Sequence, residues 1–160
     1  MHQVTILCVG KLQEKWMAAG AAQYEKRLSS WTKLSIIELP EHRLSQTPSP
    51  AEISLTLEKE GNLILSKIPP KANVIALCIE GKLLDSIQLS EYLSAAAQRG
   101  VGHHCFIIGG SFGLSDKVKQ AAHLRLSMSP MTFPHQLARV LLLEQIYRGF
   151  SIMNNSKYHK

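Results

Sequence analysis

Along the chain, short apolar runs alternate with longer amphipathic stretches. Val4-Thr5-Ile6-Leu7-Cys8-Val9 is too continuous for a strand with one wet face and suits one buried on both. Gly10 ends it, and Trp16 to Leu28 reads as a helix with Ala18, Ala19, Ala22 and Leu28 among its less polar positions. Leu34 to Leu39 is a second strand stopped by Pro40. Residues 41 to 50 carry His, Arg, Ser, Gln, Thr and two prolines, which is loop chemistry and the place for a mobile, variable connection rather than a domain boundary. Ala51 to Lys67 is a helix broken before Pro69-Pro70, and Val74 to Ile79 is a third buried strand. Asp85 with Gln88 has the spacing of a capping box that opens a helix running to Arg99, and Gly100 closes it.

Cys105 to Ile108 forms a fourth strand that runs into Gly109-Gly110-Ser111-Phe112-Gly113. Ser115 is placed to cap a short helix to about Ala122, and Leu124 to Met128 is a fifth strand. The last element, Leu137 to Met153, carries apolar residues at 137, 138, 140 to 143, 146, 147, 150 and 152. Such a stripe covers most of the helix circumference, so the helix is expected to be buried on several sides, within the fold or against a second subunit. Strands alternating with helices predict an α/β fold with a mostly parallel sheet. The 160 residues fit one domain, and no repeat interrupts them.

Composition narrows the function classes. Lys plus Arg number 18 against 12 Asp plus Glu, a formal charge of +6 that favours a polyanionic partner such as nucleic acid. No long basic block occurs, so any such surface must be assembled by folding. No apolar run reaches the ~20 residues that span a bilayer, and Met1 to Leu7 lacks the marks of a signal peptide; the expectation is a cytoplasmic protein with no membrane association. Cys8, Cys78 and Cys105 each sit in a strand-like run and read as small buried hydrophobes in a reducing compartment. His103, His104 and Cys105 are consecutive, but neighbours on a strand point to opposite faces, so no metal site is expected there.

In open parallel sheets, ligands bind beyond the carboxyl ends of the strands. Gly109 to Gly113 occupies one such end, where glycines allow a tight turn and a close approach of ligand to main chain. A turn with no ligand uses the same residues. The run also matches G-x-S-x-G, the nucleophile elbow of α/β-hydrolases, with Ser111 as nucleophile and Glu144 and His159 following in the required order. A second strand end, Leu126 to Gln136, holds Pro130 and Pro134 in a stiff loop whose main-chain groups lack partners in secondary structure. With Leu126, Met131 and Phe133 as walls it suits a planar heterocycle; it serves equally as a stiffened connection. The tail, Asn154 to Lys160, offers Tyr158 for stacking, Lys157 and Lys160 for phosphate, and His159 for proton movement, although termini are commonly frayed.

Six runs taken together are more specific than any one: Val-Gly-Lys-Leu at 9–12, Tyr-Glu-Lys-Arg-Leu at 24–28, Gly-Gly-Ser-Phe-Gly-Leu at 109–114, Met-Thr-Phe-Pro-His-Gln at 131–136, Leu-Glu-Gln-Ile-Tyr-Arg at 143–148 and Lys-Tyr-His-Lys at 157–160. In this order, and over essentially the whole chain, they resemble the ribosomal RNA large subunit methyltransferase H family of the SPOUT class. The resemblance implies a trefoil knot in the C-terminal third, otherwise almost absent from proteins, and an obligate homodimer. It implies S-adenosylmethionine held by Leu77 at the end of the third strand, by Gly109, and by the loop Met128, Ser129, Pro130, Met131, Thr132 and Phe133. The family's reaction is methylation of N3 of a pseudouridine in a hairpin loop of 23S ribosomal RNA within the assembled ribosome.

For that chemistry the residues suggest roles. A sulfonium methyl is already activated, so alignment and water exclusion dominate, and the ring N–H proton needs an acceptor or a contact that stabilises the anion. His159 is the candidate acceptor, Tyr158 the residue that stacks on or positions the base, and Gly110 with Phe112 shape the pocket. Arg139, Arg148, Lys157 and Lys160 are candidate phosphate contacts. Two other readings compete: a serine hydrolase built on Ser111, and a ribosome-binding factor without chemistry.

Overall fold

The computed structural model describes Met1–Lys160. Five strands, β1 (His2–Val9), β2 (Thr32–Leu39), β3 (Asn73–Leu83), β4 (His103–Ile108) and β5 (Leu124–Ser127), alternate with five helices, α1 (Lys15–Leu28), α2 (Pro50–Lys67), α3 (Ser86–Gln98), α4 (Asp116–Ala121) and α5 (His135–Met153). All strand pairs are parallel, in the order β2-β1-β4-β3-β5. A parallel sheet must be covered on both faces, and here two apolar clusters do so. Alternate residues of one strand serve opposite clusters: Val4, Ile6 and Cys8 meet Ala21 and Leu28 of α1, Leu89 and Leu93 of α3, and Leu142, Ile146 and Phe150 of α5. Leu7 and Val9 face Ile64 of α2 and Val118 of α4. The result is a three-layer α/β/α sandwich, and no helix in it is long and apolar enough to cross a membrane.

Local chemistry sets the element ends as the sequence suggests. The Asp85 side chain accepts from Gln88 N–H while the Gln88 side chain accepts from Asp85 N–H, and Ser115 accepts from Val118 N–H at the start of α4. Ser49, inside the stretch read as loop, caps α2 through Glu52 N–H, with Pro50 opening the helix. At Gly61 a Cβ would run into the Ser115 hydroxyl, so this glycine lets α2 lie directly against the start of α4.

Three expectations change. The third strand does not end near Leu77: it continues to Leu83, and both Leu77 and Lys82 pair with Leu126, so residues 78–81 loop out between them. Helix α5 begins two residues earlier than its apolar pattern, at His135. It is buried along one face (Leu142, Leu143, Ile146, Gly149, Phe150), while Leu137, Val140, Leu141 and Tyr147 remain half-buried.

The three cysteines are free and buried. Burial pushes the thiol of Cys8 up to about 11 and that of Cys105 to about 12, so neither is a reactive thiolate. His103 and His104 do point apart: His103 Nε2 meets Thr5 Oγ1 at 2.8 Å, and His104 Nδ1 meets the Asn73 amide at 3.1 Å.

Candidate active site

A cavity of about 790 Å³ opens at the carboxyl ends of β3, β4 and β5. Leu77, Gly109, Gly110, Phe112, Met128, Ser129, Met131, Thr132 and Phe133 line it, joined by Ser111. The two strand ends singled out in the sequence therefore meet around one space. Pro130 lies within the same loop but is not part of the lining.

Backbone geometry explains the glycines. Gly109 is buried, and a Cβ there would collide with the carbonyl of Gly113, so the chain folds back on itself only because residue 109 has no side chain. Gly110 and Gly113 close this turn through an isolated bridge, with Gly113 at φ +82°. Phe112, 46 % exposed, stands at the mouth. The opposite wall is tied down by short contacts: Ser127 Oγ donates to Ser129 O at 3.1 Å, and Met131 N–H donates to Ser129 Oγ at 3.0 Å. On the far side of this loop a second apolar cavity, about 330 Å³, shares Leu126, Met128 and Phe133 with the first. Met128 and Phe133 thus face both spaces.

Several site residues carry no signal in the sequence beyond their polarity. Glu41, in the stretch read as variable loop, accepts a hydrogen bond from Ser111 Oγ at 3.3 Å and lies 3.8 Å from Nε2 of His135. His135 lines the cavity, and its Nε2 is buried without a hydrogen-bond partner. Glu60, only 7 % exposed, accepts from His42 N–H at 3.4 Å. Burial raises its carboxyl pKa, opposed by that N–H. These acids brace the glycine turn from behind: Oε1 atoms of both lie within 4 Å of where a Gly110 Cβ would sit. A charged residue beside a proline looks like any loop until the fold turns it inward.

The arrangement does not assemble a hydrolytic triad. Ser111 is bonded to a carboxylate rather than an imidazole. Glu144 is bonded to Arg148 and Tyr158, and His159 to Arg148, all away from the residues lining the cavity.

The tail docks on its own α5. Tyr158 Oη donates to Glu144 Oε1 at 3.0 Å, and its ring packs edge-on against Tyr147 at 4.7 Å. Arg148 lies over the Tyr158 ring at 4.7 Å and reaches His159 Nδ1 at 3.2 Å. Burial, and then the Glu144 hydrogen bond, push the Tyr158 phenol up to about 12, so it acts as a neutral donor. Lys157 and Lys160 are exposed. Arg139 is not: it is 3 % exposed and directs its guanidinium inward, to Glu38 Oε2 at 2.6 Å and to the Gly10 carbonyl at 2.8 Å. The structure thus places Arg139 in the interior, where it holds three elements together, rather than among the surface cations. An arginine in an apolar helix looks alike in sequence whether it faces phosphate or a buried carboxylate.

Neither Tyr158 nor His159 lines the cavity. From His135 at the cavity to Glu144, where the tail docks, is roughly 14 Å along α5 at ~1.5 Å per residue. Pocket and tail of one chain are separate. No group of three or more His, Cys, Asp or Glu side chains is placed to hold a metal ion.

Comparison with known proteins places the chain in a family. The family model described as "Predicted SPOUT methyltransferase" covers residues 2–159. The ribosomal RNA large subunit methyltransferase H of Bacillus pumilus (strain SAFR-032) is 48% identical over 157 residues, 98% of this chain and 99% of that protein. Among solved structures, a methylase family protein from Haemophilus influenzae Rd KW20 shares the fold at a TM-score of 0.54 and 15% identity, over 97% of this chain and 67% of that one. Lpg2936 from Legionella pneumophila, solved with S-adenosylmethionine bound, aligns at 0.49 and 12% identity over 93% of this chain and 66% of that one. The chain belongs to the SPOUT methyltransferase family and, within it, to the ribosomal RNA large subunit methyltransferase H family.

Proposed function

We propose that this chain, a single-domain cytoplasmic enzyme, transfers a methyl group from S-adenosylmethionine to N3 of a pseudouridine in a hairpin loop of 23S ribosomal RNA, acting on the assembled ribosome as a homodimer. The observation that carries the reading is the glycine turn at Gly109, which closes only without a side chain there and lies in the wall of a cavity lined also by Leu77, Met128, Met131 and Phe133. That combination fits a nucleoside cofactor: apolar walls for a flat base, and the main chain of two loops for its edge. The cofactor, when bound, supplies an activated methyl group on a sulfonium sulfur.

The chain's own residues do the rest. Leu77, Gly109 and Met128 to Phe133 hold and orient the cofactor, with Pro130 stiffening the loop. Gly110 and Phe112 shape the mouth where the target base enters. His159 takes the N3 proton, and Tyr158, neutral at working pH, positions the base. Arg148, Lys157 and Lys160 meet phosphates, as the net charge of +6 favours.

The separation of tail and cavity within one chain supports the dimer, with the tail of one subunit completing the cavity of the other. So does the apolar surface of the cavity, where Ile79, Phe112 and Met131 are 46–74 % exposed. The return of α5 from β5, at the sheet edge, to lie against α1 and α3 is in keeping with the family's trefoil knot.

The direct test incubates the protein and S-adenosylmethionine with ribosomes lacking the modification, then digests the RNA and weighs its nucleosides. A methylated pseudouridine is the expected product. A methylated uridine, guanosine or adenosine instead would overturn the substrate.

A further inference from the structure

Lys119 on α4 and Glu80 in the looped-out part of β3 form an ion pair at 2.5 Å, and both line the large cavity. Titratable His135 apart, they are the only ionisable side chains of Asp, Glu, Lys or Arg type in its wall. The loop that carries Glu80 is built rather than slack. Leu77 and Lys82 both pair with Leu126, which forces residues 78–81 out of the ladder. At Gly81 a Cβ would come within 2.7 Å of the Arg125 carbonyl, so the excursion presses on β5 and fits only a glycine. The bond holds the Glu80 carboxyl below the usual carboxylate range and raises the Lys119 ammonium.

As a strut this pair is poorly placed. Its side chains are 23 % and 60 % exposed, and ion pairs so wet contribute little to stability. As a recognition device it is well placed. A charge of each sign, side by side at the wall of an otherwise uncharged cavity, is complementary to a ligand with a zwitterionic end. We propose that Lys119 and Glu80 together receive the amino-acid end of the cofactor, Lys119 taking its α-carboxylate and Glu80 its α-ammonium. The assignment rests on the cofactor reading above. Binding exchanges one wet ion pair for four alternating charges, with two new charge-assisted hydrogen bonds in a partly dried site.

Two ligands separate this from the cofactor reading itself. S-adenosylhomocysteine carries the amino-acid end; 5′-methylthioadenosine keeps the nucleoside and the thioether without it. Calorimetry on the full-length protein is expected to give about a tenfold preference for the first. Lys119→Met and Glu80→Gln are each expected to shrink that preference severalfold while leaving methylthioadenosine affinity unchanged. Unliganded melting curves of both variants show whether they fold. A preference unchanged in both folded variants overturns the assignment and leaves the cofactor reading standing. Failure of the wild-type protein to bind either ligand overturns the cofactor reading, and the assignment with it. If Lys119→Met does not fold, Glu80→Gln, at a more exposed position, decides the matter alone.

Discussion

Arg139 on the second turn of α5 donates to Glu38 at the end of β2 and to the Gly10 carbonyl just past β1, at 2.6 and 2.8 Å. One guanidinium thereby fixes the angle at which α5 leaves the cavity, because His135, four residues earlier, lies in the wall. Arg139→Met keeps the stem but leaves a buried carbonyl and a half-covered carboxylate without a donor. The expected loss is about 3 kcal/mol, seen as a fall of roughly 6–10 °C in melting temperature for a chain of this length. A variant melting within a degree or two of wild type would show that the pair carries no such weight.

Histidines at the opposite end of the sheet set the acid limit of stability. Burial lowers His104 to about 4, and His2 and His103 are lowered as well, each chiefly by burial. The folded chain keeps these rings neutral while the unfolded chain protonates them near 6.5. Between those values the unfolded state binds more protons, so stability is full above about pH 6.5 and falls as pH drops toward 4. His104, wholly buried, accounts for about 3 kcal/mol of this at ~1.4 kcal/mol per pKa unit. Urea midpoints measured from pH 7.5 to 4.5 are expected to decline, and the slope should flatten in His104→Phe. An unchanged slope in that variant places the acid sensitivity elsewhere.

The order of elements was readable because β1, β3 and β4 contain continuous apolar runs and several helix ends bear their own signal: Asp85 with Gln88, Ser115, Gly100. Strand order was not, since periodicity tells which faces are buried and not which strand lies alongside. The glycine turn and the proline-rich loop stood out as strand ends, and their meeting in one cavity follows from β5 pairing with β3. Glu41, Glu60 and the loop at 78–81 stayed hidden because their roles depend on contacts across the fold: Ser111 is far from Glu41 in sequence, and Leu126 is shared by two residues of β3. The pairing of Arg139 with Glu38 and Gly10 stayed hidden for the same reason.

Gly109→Ala tests the turn. The added methyl meets the Gly113 carbonyl, so the loop must open into the space proposed for the cofactor. Affinity for S-adenosylhomocysteine is expected to fall by at least about tenfold, equivalent to ~1.4 kcal/mol. Retained affinity would mean that ligand contact does not depend on how tightly this turn is closed.

Separation of tail and cavity predicts complementation between subunits. A chain with Gly109→Ala and an intact tail, mixed and re-associated with a chain lacking residues 157–160, should show methyl transfer well above that of either alone at limiting cofactor. The tail-deleted chain should still bind S-adenosylhomocysteine. Absence of recovered activity in re-formed mixed dimers would place each tail at its own subunit's cavity.

The central claim is tested most directly by transfer of a tritiated methyl group from S-adenosylmethionine to ribosomes lacking the modification, beside free large-subunit RNA. The account predicts label on a pseudouridine of 23S RNA, with assembled ribosomes labelled far more strongly than free RNA. No label on either substrate, from protein shown to bind the cofactor, would contradict it.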